Sequence, residues 1–381
     1  MKFLKKTAGL ILILSVIFSA RGTYGRDVTD LTAKSYILME SSTGRVLLEG
    51  NADTPLPPAS ITKIMTLLLI MEDIESGKIS YDDMVTASER AKSMGGSTIF
   101  LEAGERMSVH DLLKGIVVAS ANDASVAMAE HLEGSVEAFV ERMNKRATEL
   151  GMTNTQFKNT NGLPAEGHEM SARDIAIVSN ELLKHKDILN FTLIWTDSLR
   201  DGAFQLANTN RLIRFYEGAN GLKTGSTDEA GCCISASAER DGMQLIAVVM
   251  GSPTSNDRFE DAKALLDYGY SNYNLWYGPD RETSVGHIKV RKGSAETVAY
   301  LPESNMYALV RRSETGREEL EVETEEFVTA PLKKGDAVGV IKCLLNGEVI
   351  AETKLVAASD VERIGFWQLQ KKMLGFLLRI K

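Results

Sequence analysis

Ser60-Ile61-Thr62-Lys63 sets a hydroxyl and an amine three residues apart, where a strongly apolar run from Ile61 to Met71 begins. On a helix those two side chains share a face. The helix N-terminus adds unpaired N–H groups and a positive dipole end, both suited to a developing oxyanion. A serine hydroxyl is a weak nucleophile until a base takes its proton. Lysine serves as that base only when its pKa falls from about 10.4 toward neutrality, and burial or a neighbouring cation pushes it that way. The apolar run supplies the burial, and Lys223 is a candidate for the cation. The same four residues, taken alone, also fit a serine N-cap followed by a surface lysine.

Two further short motifs follow in order. Ser120-Ala121-Asn122 comes after the apolar Ile116-Val117-Val118. Its hydroxyl can relay a proton from Lys63 to a leaving amine, and its amide can hold a peptide group. Asn122 or Asp123 is also suited to open the helix that continues to Leu132. Lys223-Thr224-Gly225 opens a strand, where glycine lets a ligand backbone approach closely. Strand alternation puts Lys223 opposite Thr224, so the two do not both point straight into one cleft. A solvent-facing lysine on an edge strand has the same local sequence. The guanidinium of Arg258 suits a free carboxylate and equally a surface ion pair. Each motif is short enough to recur by chance; their order, spacing and surroundings together are specific.

In these three motifs the chain resembles the serine penicillin-recognising enzymes, which include penicillin-binding proteins and β-lactamases of classes A and C. Within that group it most resembles the low-molecular-mass D-alanyl-D-alanine carboxypeptidases. The likeness is carried by Leu56-Pro-Pro-Ala-Ser-Ile-Thr-Lys-Ile-Met-Thr, Ser120-Ala-Asn-Asp-Ala, Asn159-Thr-Asn-Gly-Leu-Pro and Gly221-Leu-Lys-Thr-Gly-Ser-Thr. Arg258 ahead of Ala264-Leu-Leu-Asp-Tyr-Gly-Tyr extends it, and it covers nearly the whole chain.

The resemblance implies Ser60 as nucleophile, Lys63 as base and Ser120 as proton relay. It implies that Asn122 holds the acyl portion, Lys223 stabilises charge, and Thr224 and Arg258 receive the terminal carboxylate. The N–H groups of Ser60 and Ser226 would form the oxyanion hole. The implied substrate is the peptidoglycan pentapeptide, with β-lactam antibiotics as covalent inhibitors and no cofactor or metal. The implied fold is α+β: a serine β-lactamase/transpeptidase-like catalytic domain, made of an antiparallel sheet with a helical subdomain, then a small all-β domain and a C-terminal amphipathic helix. Ser226 departs from relatives that carry histidine there. An endopeptidase or esterase of the same superfamily shares Ser60. A β-lactamase would need a glutamate in a setting that Glu166, Glu169 and Glu181 lack, and a non-catalytic binder of cell-wall peptide is the reading from another class.

The elements that must position these residues follow from local pattern. Tyr36–Glu40 and Arg45–Leu48 read as strands joined by Ser-Ser-Thr-Gly. Residues 108–150 read as helical with a break near Ala119–Asn122, and Ser171 caps a helical run to Lys184. Cys232–Ala238 and Met243–Val249 flank a hairpin turn, and Phe259–Leu266 returns to a helical period. Strands from both ends thus enclose a helical middle. A Gly-Pro-Asp-Arg segment after Trp276 reads as a linker to alternating strands in 284–357, a small sandwich or barrel. The expected division is 1–25 signal segment, 26–278 catalytic domain, 279–360 β-rich domain and 361–381 membrane-anchor helix.

Composition and the two ends set the class. The 381 residues are 44% hydrophobic and 25% charged, ordinary for a globular protein. A net charge of −9 argues against a nucleic-acid surface. Lys2, Lys5 and Lys6 precede the apolar Ala8–Ala20, and Thr23-Tyr24-Gly25 offers a cut after Gly25, the pattern of a secretory signal; an uncleaved anchor is the alternative. Export would place the protein at the outer face of the cytoplasmic membrane. Val361–Lys381 holds five basic residues and one acid, with Phe366, Leu369, Met373, Phe376, Leu377 and Ile380 on one helical face. That pattern suits a helix lying on anionic lipid, or one docked on the protein's own core. Cys232, Cys233 and Cys343 give no disulfide framework and read as small core residues. The five histidines form no metal-ligand spacing, and Glu166-Gly167-His168-Glu169 reads as a polar segment bordering the site.

Overall fold

The Ser-Ser-Thr-Gly turn forms around a buried carboxylate: both Glu40 oxygens accept from the N–H and hydroxyl groups of Ser42 and Thr43. The two strands it joins are β1 (Ser35–Glu40) and β2 (Val46–Gly50). The computed structural model describes residues 26–379, so the expected signal segment lies outside the described residues.

The apolar run after Ser60 becomes α1 (Lys63–Glu75), buried continuously from Lys63 to Met71. Its hydrophobic residues occupy every face, as befits a helix at the centre of a core. The helical middle continues with α2 (Val109–Val118), α3 (Asn122–Glu133), α4 (Val136–Glu149) and α5 (Ala172–Lys184). Ser108, Ser135 and Ser171 accept from the N–H three residues on and so cap α2, α4 and α5, each worth about 1 kcal/mol. The expected cap at Asn122 or Asp123 does not form. Ala121 occupies the N-cap position of α3 without a side-chain bond, because both polar side chains are engaged elsewhere.

Three long strands then make a meander: β3 (Ala219–Thr227), β4 (Gly231–Arg240) and β5 (Met243–Ser252). They join the N-terminal hairpin in one antiparallel sheet of order β2-β1-β5-β4-β3. Along the central β5, Ile246, Val248 and Met250 face the core shared with the helical middle. Leu245, Ala247 and Val249 face a second core under α6 (Ser255–Asn272). The near-continuous apolar run in β5 is therefore the signature of a strand covered on both faces. Cys233 and Cys343 are buried as expected, but Cys232 is only half-buried.

Past α6 the chain forms β6 (Tyr273–Tyr277), β7 (Gly286–Arg291), β8 (Thr297–Pro302), β9 (Tyr307–Arg311) and β10 (Glu318–Thr324), then β11 (Phe327–Thr329), β12 (Ala337–Leu345) and β13 (Glu348–Ala357). Six of these make one sheet, β10-β12-β13-β8-β7-β11, antiparallel except for the β7/β11 pair. Strand β9 does not join it. It pairs with β6 across the expected linker, and Leu309 enters the core beneath α6 with Leu275. The final helix, α7, spans Phe366–Arg379. Of the expected stripe, Phe366, Leu369 and Met373 are each at least 45% exposed, as are Trp367 and Leu374 outside it, so these side chains are not docked on the protein's own core. Among the described residues, no helix is long and apolar enough to cross a membrane.

Candidate active site

Ser60 lies in a short 3-10 turn, Ala59–Thr62, that runs directly into α1. Ala59 adopts a left-handed φ of 48°, costly for a residue with a side chain, and the turn is held from several sides. Thr62 Oγ1 donates to Ala59 O at 2.9 Å. Gly162, itself at φ 84°, presses so close that a Cβ there would stand 1.8 Å from Ala59 O. Behind the turn, Lys158 N donates to His168 Nδ1 at 3.0 Å, which leaves Nε2–H to donate to Thr62 Oγ1 at 2.8 Å. Burial pushes the His168 pKa down to about 4, with Lys158 adding to the shift. His168 is therefore a neutral brace rather than an acid or base.

Lys63 is completely buried. Its Nζ contacts Asn122 Oδ1 at 2.6 Å, Asn161 O at 2.8 Å and Ser60 Oγ at 3.0 Å. Burial drives its pKa well below the ordinary lysine value, the charge of Lys223 adds to that, and Asp123 opposes it. A neutral amine has two N–H groups and one lone pair. Two carbonyl oxygens take the former, and the lone pair is left for the Ser60 hydroxyl.

Ser120 and Asn122 sit in the break between α2 and α3. Ser120 is buried and holds a left-handed φ of 62°. Asn122 N donates to Ser97 O at 2.7 Å and its Nδ2 to Gly95 O at 2.7 Å. The Asp123 carboxylate accepts from Ile99 N and Leu101 N. These bonds pin the 95–101 loop to the start of α3, and they are why neither side chain caps the helix.

Strand β3 closes the other side. A Cβ on Gly225 would stand 2.7 Å from Ser60 N, so glycine is required for this close approach. Lys223, on the same face, is buried and its Nζ donates to Thr224 O at 3.1 Å. Burial, with Arg258 nearby, lowers its pKa to about 7. Thr224 points the other way and donates to Thr209 Oγ1 at 2.8 Å. Arg258 reaches from α6 so that one Nη donates to Gly225 O at 3.1 Å, while its Nε is buried without a hydrogen-bond partner. Ser226 is exposed at the strand's outer end. A cleft of about 540 Å³ opens beside Ala59, lined by Gly162–Glu169, Pro57, Pro58, Thr227 and Glu229; the polar 166–169 segment borders it.

The fold thus gathers Ser60, Lys63 and Asn122 around one nitrogen and brings Lys223, Gly225 and Arg258 against them. The Thr224 hydroxyl turns to the other face of β3, and Ser226 is exposed toward the strand's end. The reading from sequence gave Asn161 no role. Its carbonyl is the third partner of Lys63, fixed by Asn159 Oδ1 accepting from the N–H groups of Asn161 and Gly162. An Asn-x-Asn-Gly string is a turn signature, and that was the signal available for it.

The family described as D-alanyl-D-alanine carboxypeptidase matches residues 23–254, and that of the penicillin-binding protein 5 C-terminal domain matches 280–363. D-alanyl-D-alanine carboxypeptidase DacF of Bacillus subtilis is 45% identical over 353 residues, 92% of this chain and 91% of its own. Penicillin-binding protein 5 of Haemophilus influenzae superposes with a TM-score of 0.75 at 32% identity, covering 87% of this chain and 98% of that one. Penicillin-binding protein D2 of Listeria monocytogenes, solved in an ampicillin-bound form, superposes with a TM-score of 0.58 at 32% identity, over 63% of this chain and 98% of that one.

Proposed function

Because the chain belongs to the D-alanyl-D-alanine carboxypeptidase family, we infer that it removes the terminal D-alanine from peptidoglycan stem peptides through an acyl-enzyme on Ser60. The observation that carries this reading is the buried Lys63 amine, with two carbonyl acceptors and the Ser60 hydroxyl as its third contact. As Ser60 Oγ attacks the carbonyl carbon of the penultimate D-alanine, its proton passes to Lys63. The oxyanion falls to the N–H groups of Ser60 and Ser226. Ser120 passes the proton on to the departing amine, the C–N bond breaks, and D-alanine leaves. A water, deprotonated by Lys63, then hydrolyses the ester.

The remaining residues hold the substrate. Asn122 keeps one amide edge on Lys63 and offers its position to the acyl part of the peptide. Lys223 places positive charge beside the nucleophile, and Thr224 and Arg258 take the free carboxylate. The spare donor of Arg258 supports that role, since a buried guanidinium gains most from a charged acceptor. β-Lactams, which mimic the scissile amide and carry a carboxylate, acylate the same serine. We further infer that the protein is exported and that α7 rests on the outer face of the cytoplasmic membrane. Its exposed apolar residues and basic neighbours support this.

Intact-mass measurement after brief exposure to benzylpenicillin, with peptide mapping, tests the mechanism. One penicilloyl group on Ser60, absent in Ser60→Ala, is expected. A folded protein that leaves penicillin unchanged and carries no adduct sinks the mechanism.

A further inference from the structure

Strand β4 returns beside β3 so that Cys232 stands directly opposite Ser226. Side chains of opposed residues have Cβ atoms about 4.5–5.5 Å apart. The Cys232 thiol is half-open to solvent and Ser226 is exposed. Its neighbour Cys233 faces the other way: it is fully buried, accepts from Gly251 N at 3.5 Å, and burial pushes its pKa up to about 11. One thiol of the adjacent pair is sealed in the core, and the other opens at the end of the catalytic strand.

A second, independent feature lies beside it. Arg258 is 7% exposed, makes no ion pair among the described residues, and leaves Nε without a hydrogen-bond partner. One Nη donates to Gly225 O at 3.1 Å, next to Ser226, the residue that stands opposite Cys232. A buried cation with an unused donor calls for an anionic acceptor.

We propose that Cys232 is a thiol-exchange site for small disulfides bearing a carboxylate, which docks on Arg258, and that the mixed disulfide blocks the carboxylate-receiving end of the cleft. This rests on the reading that Arg258 receives the terminal carboxylate of the peptide. In the exchange, Cys232 gives its proton to water and its thiolate attacks one sulfur of R–S–S–R. The Cys232–sulfur bond forms, the original S–S bond breaks, and R–S⁻ leaves with the electron pair. An excess of free thiol reverses the step. No other oxidant is needed, and outside the cytoplasm a free thiol meets disulfides readily.

The experiment uses the full chain purified under reducing conditions and then freed of reductant. Ser60 acylation by benzylpenicillin and hydrolysis of a peptide ending in D-Ala-D-Ala are measured first. The protein is then treated with the dicarboxylate disulfide 5,5′-dithiobis(2-nitrobenzoic acid) or with neutral 2,2′-dithiodipyridine, each rate being normalised to that on free glutathione. Expected are a single adduct mapped to Cys232, a normalised preference for the carboxylated reagent, and a loss of at least about tenfold in kcat/KM that dithiothreitol restores. Cys232→Ser, with Cys232→Ala as a second replacement, should match the untreated enzyme and resist both reagents. An adduct on Cys232 with unchanged kcat/KM overturns the proposal, as does a thiol that stays unmodified in the folded protein or equal inhibition of both replacements. Failure of the untreated protein to acylate Ser60 instead overturns the carboxypeptidase reading, while the mapping still decides whether Cys232 is an exchange site.

Discussion

The proposed mechanism takes two buried lysines in opposite protonation states, Lys63 neutral and Lys223 charged. Lys63 is fully buried, and burial together with the charge of Lys223 drives its pKa well below the ordinary lysine value, against the pull of Asp123. Lys223 lies against Thr224 O and titrates near about 7 because of burial and Arg258. As pH rises through that value in the free enzyme, Lys223 sheds its proton and the cation beside Ser60 disappears. The plot of kcat/KM against pH should therefore carry a descending limb above about 7. Lys223→Arg keeps its charge at every accessible pH and should lose that limb, even if its maximum rate is lower. Profiles of both proteins between pH 5 and about 10 decide the matter; identical alkaline limbs would remove Lys223 as their origin.

At the scale of elements, the turn carrying Ser60 is shaped by a neighbour far away in the chain. Gly162 sits at φ 84° with no room for a Cβ against Ala59 O. Alanine there meets both a backbone penalty of about 1 kcal/mol and a collision that must push the 59–62 turn aside. Gly162→Ala should lower stability by about 2 kcal/mol or more and slow benzylpenicillin acylation of Ser60, read from urea unfolding and adduct formation. Normal values of both would mean that the turn yields at no cost. In the sequence, the string Asn159–Leu163 counts only as part of the family likeness; its turn signature does not name its target, because local pattern does not encode what a loop packs against. The same reason covers Asn122 and Asp123. Their types suit a helix cap, and only the fold brings the 95–101 loop close enough to claim them. The apolar periods of β1 and α5 were readable to within one residue, while β5 and α1 run three and four residues past the apolar stretch that signalled them. The pairing of β9 with β6 was not readable, since its alternation fits either sheet.

Over the whole molecule, the proposed membrane contact rests on the unequal distribution of charge and apolar surface. The chain carries −9 overall, yet its last 21 residues hold five basic groups and one acid. An anionic lipid surface repels the body and attracts this end. Phe366, Trp367, Leu369, Met373 and Leu374 stand exposed on α7. Full burial of such side chains contributes roughly 1.5–3 kcal/mol each, against about 1 kcal/mol for each basic residue near anionic lipid, so in the proposed membrane contact the apolar face should provide most of the binding and the charges should steer it. The segment leading into this helix is held by the β-rich domain, where Val361 pairs with Leu332, and β9 of that domain pairs with β6 on the catalytic side. A protein ending at Asp360 should keep its Ser60 acylation rate, because among the described residues α7 makes no hydrogen bond to the site. Compared with the chain 26–381, it should stay in the supernatant when mixed with vesicles of phosphatidylglycerol and phosphatidylcholine. High salt should weaken sedimentation of the longer chain only in part, since the apolar term is not screened. Equal sedimentation of both would place the membrane contact elsewhere, and complete release of the longer chain by salt would make charge, not the apolar face, the anchor.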